Sequence, residues 1–132
     1  MLQAINSRAS TPPVAVAWLC MLAAAWLLPG LIGHDPWKPD EGYSFGLVYS
    51  ILTGGDWVVP ALAHEPFMEK PPLFYLSAAA VAKLLAPPLA LHDAARLTTG
   101  LYMALTFAFI ACAARELYGF GRDRIAVLML MG

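Results

Sequence analysis

The segment LTTGLYMALTFAFIACAA, residues 97–114, contains no charged side chain over its 18 positions. An apolar run of about 18 to 20 residues is long enough to cross a bilayer as a helix. Arginines at positions 115, 122 and 124 follow it closely, and such residues are typical of the cytoplasmic end of a span. The sequence therefore predicts a transmembrane helix over 97–114 and a cytoplasmic loop over 115–124.

The composition agrees with a membrane protein. The chain of 132 residues is 60% hydrophobic and 13% charged, whereas soluble domains are about 45–50% apolar and roughly 25% charged. A net charge of −1 gives no basic surface for nucleic acid. Cys20 and Cys112 lie in apolar blocks without a CxxC partner, which disfavours a zinc site. We expect an all-α membrane fold.

Apolar blocks at the two ends of the chain complete this outline. Residues 14–32 predict a first transmembrane helix after a cytoplasmic tail, residues 1–13. A cleaved signal peptide is the alternative, but the block is near full spanning length and no small-x-small site follows it. Residues 125–132 look like the start of a truncated transmembrane helix, so we expect the chain to be the N-terminal part of a longer protein.

Residues 33–96 are predicted to form a periplasmic loop, because the segment that follows the first span is rich in acidic and aromatic side chains. Apolar residues recur at helical spacing over 41–52, and Gly54-Gly55 would end that helix. Residues 71–86 are helical but shorter than a span and contain Lys83. We favour an interfacial or re-entrant helix there, since it leaves the arginines cytoplasmic; a full crossing is the alternative.

Two polar clusters in this loop are candidate site residues. Asp40 and Glu41 lie near the start of one predicted helix, where Asp40 could simply be an N-cap. Glu69 and Lys70 come just before Pro71, at the start of the next helix. A lysine at a helix N-terminus opposes the helix dipole, so Lys70 is better explained by a bound anion such as a phosphate.

Together these residue types suit transfer of a sugar from a phosphate-bearing lipid. A carboxylate could accept the proton of the attacking hydroxyl group. A second carboxylate could hold a divalent metal cation. Lys70 would neutralise the leaving phosphate.

The order of three motifs resembles the first outer loop of GT-C glycosyltransferases, most of all the aminoarabinose transferases of lipid A and the related protein O-mannosyltransferases. The resemblance covers residues 14–131. The motifs are Asp40-Glu41, then Gly55-Asp56-Trp57-Val58-Val59-Pro60, then Glu69-Lys70-Pro71-Pro72-Leu73 with Tyr75.

The resemblance implies GT-C-type transmembrane helices with juxtamembrane helices in the first outer loop. It assigns acceptor activation to Asp40 with Glu41 beside it, metal binding to Glu69, and contact with the donor phosphate to Lys70. It implies a polyprenyl-phosphate sugar donor, a lipid, protein or glycan acceptor, and a multi-pass enzyme of the inner membrane with its site on the periplasmic side. Such enzymes have several hundred residues, so this part would be inactive alone.

Two other functions fit the pattern less completely. A non-catalytic membrane subunit that binds polyprenyl phosphate would also explain Lys70. A transporter fragment would need charges within its spans, whereas the acidic residues cluster in the loop. Among the remaining cations, we expect Lys83 to reach the interface and Arg96 to contact lipid headgroups or to anchor the topology.

Overall fold

The computed structural model describes residues 13–86, 88–119 and 121–132. Its described part divides into two compact units, one formed by Pro29–Tyr102 and the other by the segments up to Leu28 and from Met103 onward. The elements are α1 (Pro13–Leu27), α2 (Lys38–Leu52), β1 (Ala61–Leu62), β2 (Glu65–Pro66), α3 (Leu73–Leu85), α4 (Leu91–Tyr118) and α5 (Arg122–Met131). The largely helical content agrees with the expected all-α class.

Helix α1 ends earlier than the predicted first span. It is 15 residues long and ends at Leu27, although the apolar block continues to Ile32. Pro29 disfavours helical backbone at the residue before it, and Gly30 adopts a φ of 91°. At about 1.5 Å per residue the helix is about 22 Å long.

The unit Pro29–Tyr102 has its core between α2 and α3. Leu47, Val48 and Ile51 of α2 are at most 2% exposed, and they pack in one cluster with small residues of α3. These small residues are Ala78, Ala79 and Ala82, each at most 1% exposed. Alanines on one helix face let the two backbones approach closely, so α3 is held as a packed helix of this unit.

A short hairpin between α2 and α3 is an element that the sequence did not predict. Ala61 pairs with Pro66 and Leu62 with Glu65 in antiparallel register. The turn residues Ala63 and His64 have φ values of 50° and 71°, as in a two-residue type I′ turn. Because Gly and Asn usually occupy such turns, the sequence contained no recognisable hairpin signal.

The helix boundaries that flank the predicted span also differ. Helix α3 has 13 residues, from Leu73 to Leu85, which is about 20 Å and too short to cross a bilayer. Helix α4 begins at Leu91 and ends at Tyr118, so it extends the predicted span of 97–114 at both ends. Residues 91–96 of the predicted outer loop therefore form the first turns of the helix that contains the predicted span.

Helix α4 is the element among the described residues that is long and apolar enough to cross a membrane, by length and composition. Many of its large apolar side chains are exposed, with Phe109 at 69% and Leu117 at 74%. In the unit that contains α1 and α5, Trp26 and Phe107 pack edge to face at 5.9 Å. Extensive exposed apolar surface is typical of a membrane or protein contact.

Candidate functional site

The start of α2 is organised by Glu41. Trp37 occupies the N-cap position without a side-chain cap, and one Glu41 carboxylate oxygen accepts a hydrogen bond from the Trp37 backbone N–H at 2.7 Å. This contact resembles half of a capping box, except that the glutamate lies four positions after the N-cap and not three. The reading of Asp40 as the N-cap is therefore wrong, because Asp40 is the third residue of α2.

A group of three charged residues, which we call the Arg96 cluster, comprises Glu41, Asp93 and Arg96. The Arg96 Nε donates to Glu41 at 2.6 Å, and Arg96 Nη1 donates to Asp93 at 2.8 Å. The Arg96 side chain is 10% exposed and the Asp93 side chain 9%. The interpretation of Arg96 as a lipid contact is corrected accordingly: its guanidinium joins two carboxylates within the protein.

The Arg96 cluster also holds the backbone that leads into α2. Arg96 Nη1 donates to the His34 carbonyl oxygen at 3.1 Å. The Gly33 N–H donates to both Asp93 carboxylate oxygens, at 3.3 and 3.2 Å. These bonds join residues about sixty positions apart in the chain.

Electrostatics keep Glu41 ionised. Burial raises the pKa of the Glu41 carboxyl group, but the Trp37 N–H and the Arg96 guanidinium outweigh this and hold the pKa below its ordinary value. A carboxylate stabilised in this way is a poor proton acceptor. The geometry thus favours a structural role for Glu41.

Asp40 is exposed in the first turn of α2, and the described ion pairs do not include it. Its position is nevertheless defined, because it lies between Trp37 and Glu41, whose contact fixes the turn. An exposed carboxylate on an ordered turn can meet a substrate hydroxyl group without first breaking an ion pair.

Glu69 and Lys70 are both exposed in the segment before α3. Helix α3 begins at Leu73, two residues later than the predicted start at Pro71. None of the ion pairs formed by the described residues includes Lys70. Its ammonium group is therefore accessible to a ligand at this helix start.

Tyr43 of α2 lies near the segment that contains Glu69. The pKa of its hydroxyl group is raised by burial and then by the Glu69 carboxylate and by Tyr75. Its ring packs edge to face on Phe67 at 5.2 Å, and Phe67 packs on Tyr75 in the same manner at 6.1 Å. Since Tyr43 lies one helical turn after Asp40, the segment with Glu69 lies near the start of α2.

An open groove of about 520 Å³ adjoins Lys70. Its lining is mostly apolar and aromatic: Lys70, Pro71, Leu73, Phe74, Tyr75 and Tyr102. Phe74 also lines a cavity of about 70 Å³ that Glu41, His92 and Arg96 border. The arrangement combines one cation with an apolar surface, which suits a lipid phosphate better than a free sugar.

Glu69 is not part of a metal site built from three or more such side chains among the described residues. No group of three or more histidine, cysteine, aspartate or glutamate side chains lies close enough together in that part of the chain to hold an ion. The residues described here thus do not form a complete ligand set around Glu69.

Comparison with known proteins gives one informative similarity. The chain is 33% identical over 60 residues to the undecaprenyl phosphate-alpha-4-amino-4-deoxy-L-arabinose arabinosyl transferase 2 of Sodalis glossinidius (strain morsitans). Over that stretch the chain is related to a sugar transferase. The match covers 46% of this chain and 11% of that protein. No protein family profile and no solved structure matches the chain.

Sequence reasoning missed the contribution of the first turns of α4. Asp93 and Arg96 were not expected to meet Glu41, since they lie more than fifty positions away. Their spacing of three residues on one helix was the available signal, because it places both charges on one helix face. The Lys83 Nζ lies 5.9 Å from the centre of the Trp57 ring, a cation–π contact that the sequence did not predict. Its expected position at the lipid interface stays a prediction.

Proposed function

We propose that this chain forms part of an integral-membrane glycosyltransferase of the GT-C type, which moves a sugar from a polyprenyl-phosphate donor to a lipid, protein or glycan acceptor. The observation that carries the proposal is the placement of Lys70, a cation without an ion-pair partner among the described residues, at an open apolar and aromatic groove. A polyprenyl phosphate has an anionic head and an apolar tail, which match these two features.

The membrane setting is supported by α4 and its flanking charges. The helix is long and apolar enough to cross a bilayer. Arg115 lies in its last turn, and Arg122 and Arg124 open α5. By the positive-inside rule that end of α4 is cytoplasmic, so its start at Leu91 and the proposed site lie on the periplasmic side of the inner membrane.

Within this proposal each residue has one role. Asp40 accepts the proton of the acceptor hydroxyl group as that oxygen attacks the anomeric carbon of the sugar. The bond between that carbon and the phosphate oxygen breaks, and Lys70 stabilises the negative charge that develops on the leaving polyprenyl phosphate. Glu41 maintains the turn that presents Asp40.

Glu69 is the proposed ligand for a divalent cation, whose other ligands would come from outside the described residues. A cation bound there would supply further positive charge near the donor phosphate. The roles of Asp40 and Lys70 do not depend on it.

The test is sugar transfer in membranes from cells that express the gene encoding this chain, with a labelled undecaprenyl-phosphate sugar as the donor. We expect Asp40→Asn to lower kcat about 10²- to 10⁴-fold, because the proton acceptor is lost. We expect Lys70→Gln to weaken donor binding about tenfold, because one charge-assisted contact is lost.

Two matched controls come from the same segment of the chain. Glu65→Gln removes an exposed carboxylate of the hairpin, and Lys83→Gln removes a cation near the end of α3. Both should leave transfer within about twofold, as expected for surface changes away from a site. Binding of undecaprenyl phosphate that depends on Lys70 but occurs without any transfer would instead identify a non-catalytic lipid-binding subunit.

A further inference from the structure

The Arg96 cluster has the features of a buried ion-pair network that fixes the backbone around it. Two of its three side chains, Asp93 and Arg96, are at most 10% exposed. Burying charged groups is costly unless each finds partners with good geometry. Here the cost is offset by charge-assisted bonds of 2.6 and 2.8 Å and by backbone partners.

All of these bonds converge on one short segment. The Asp93 carboxylate binds the Gly33 N–H, and the Arg96 guanidinium binds the His34 carbonyl oxygen and Glu41. Asp93 and Arg96 therefore hold this segment from the first two turns of α4. The segment runs from Gly33 into the first turn of α2. Asp40 is the acidic residue of that turn that remains exposed.

One residue of the held segment has an unfavourable backbone conformation. Lys38 has a φ of 66°, in the left-handed region that residues with a side chain rarely adopt. Such conformations persist when the surrounding structure determines them. The bond from the Trp37 N–H to Glu41 spans this residue, and Arg96 fixes Glu41 in turn.

We propose that Asp93 and Arg96 are positioning residues, which hold the first turn of α2 and thereby place Asp40 for proton transfer. This inference rests on the proposed function and adds two residues to it. Neither residue contacts the substrate; they act through Glu41 and the Gly33–His34 backbone. A fork with two donor directions is required, so a lysine cannot replace Arg96 fully.

The first test measures the exchange rate of backbone N–H groups in the held segment. Amide hydrogen exchange by NMR on the purified chain in lipid nanodiscs reports the Gly33 and Trp37 N–H groups. We expect Asp93→Asn to accelerate exchange at Gly33 about tenfold, and Arg96→Lys to accelerate exchange at Trp37 by a similar factor, because each loses part of its charge-assisted bonding. Both substitutions preserve side-chain size well enough to limit disruption of the fold.

The second test measures transfer by the same variants in membranes. Displacing a reacting group by about 1 Å can cost about a hundredfold in rate, so we expect kcat to fall between tenfold and a hundredfold. The KM for the lipid donor should stay within about twofold, because Lys70 and its groove are not altered. Glu65→Gln is the control, because this carboxylate is exposed in the hairpin, outside the held segment, and the described ion pairs do not include it.

The outcomes separate this inference from the proposed function. Unchanged exchange at Gly33 and Trp37, or accelerated exchange with unchanged kcat, would overturn the positioning role. A raised KM at constant kcat would also overturn it, since that result indicates direct substrate contact. Absence of transfer by the wild-type protein would refute the proposed function, and the exchange data alone would then decide whether Asp93 and Arg96 hold the segment.

Discussion

The Arg96 cluster and the Glu69–Lys70 pair contain similar residue types in contrasting surroundings. In the first, the guanidinium binds two carboxylates and a carbonyl oxygen, and the Arg96 and Asp93 side chains are almost fully buried. In the second, both side chains are exposed, and the described ion pairs do not include Lys70. A charged side chain whose partners lie within the protein can stabilise the fold. One that is exposed at a groove can bind a ligand.

This contrast explains why two adjacent carboxylates, at positions 40 and 41, receive different roles. The α-helical rotation of about 100° per residue directs successive side chains to different faces. Glu41 faces the start of α4 and is bound by Arg96, while Asp40 remains exposed. Sequence adjacency therefore does not imply a shared function.

The largest expected effect on stability is for Arg96→Gln. Removing the guanidinium leaves the carboxylates of Glu41 and Asp93 without their cation, one of them almost fully buried. We expect the free energy of unfolding to fall by about 3 kcal/mol. Urea titration of the purified protein in mixed micelles measures the change.

Arg122→Gln is the matched control for that measurement, because Arg122 is an exposed arginine of α5. Its substitution should change the free energy of unfolding by less than about 0.5 kcal/mol. If the two variants lost equal free energy of unfolding, the buried cluster would stabilise the fold no more than an exposed charge does.

Glu41→Gln should lower the free energy of unfolding by an intermediate amount, which depends on pH. The glutamine keeps one acceptor oxygen but loses the charge, and the Glu41 side chain is about one third exposed, so we expect a loss of about 1 kcal/mol at pH 7. The pKa of Glu41 is lower in the folded protein than in the unfolded chain. The stabilisation that its charge provides is therefore complete above the unfolded pKa of about 4.3, and it is lost as the pH falls through the folded pKa.

The difference in stability between wild type and Glu41→Gln should therefore narrow as the pH is lowered from 7 through the range below about 4.3. Parallel urea titrations of both proteins across this range measure it. A difference that stays constant with pH would show that the carboxylate charge does not stabilise the fold.

Lys70→Gln should have the smallest effect on stability. Since Lys70 is exposed and the described salt bridges do not include it, we expect a change within about 0.5 kcal/mol. A loss above about 1 kcal/mol in the same titration would indicate that Lys70 supports the fold, and the contrast between the two clusters would fail.

The sequence predicted the helices well because apolar periodicity and chain breakers act locally. The helix ending before Gly54-Gly55 appears as α2, which ends at Leu52, and the span over 97–114 lies within α4. The hairpin over residues 61–66 was missed because Ala63 and His64 adopt positive φ without the usual Gly or Asn. The early end of α1 follows from Pro29, whose effect on the preceding residue competes with a continuous apolar run.

The candidate site was predictable only in part. Asp40 and Lys70 could be singled out from their types and from their positions near helix starts. Arg96 could not be assigned, because its partners Glu41 and His34 are 55 and 62 positions away in the chain. The position of Asp40 in the first turn rather than at the N-cap also depended on Glu41 reaching back to the Trp37 N–H.

The sequence by itself determined the helical class, the apolar character of α4 and the residue types available for chemistry, because composition and short-range periodicity encode these directly. Only the tertiary structure decided which charges are neutralised inside the protein and which stay exposed. The physical reason is that the state of a carboxylate or guanidinium depends on its burial and on partners that the fold brings from distant positions. Glu41, held by Arg96, and Lys70, exposed beside its groove, show the two outcomes.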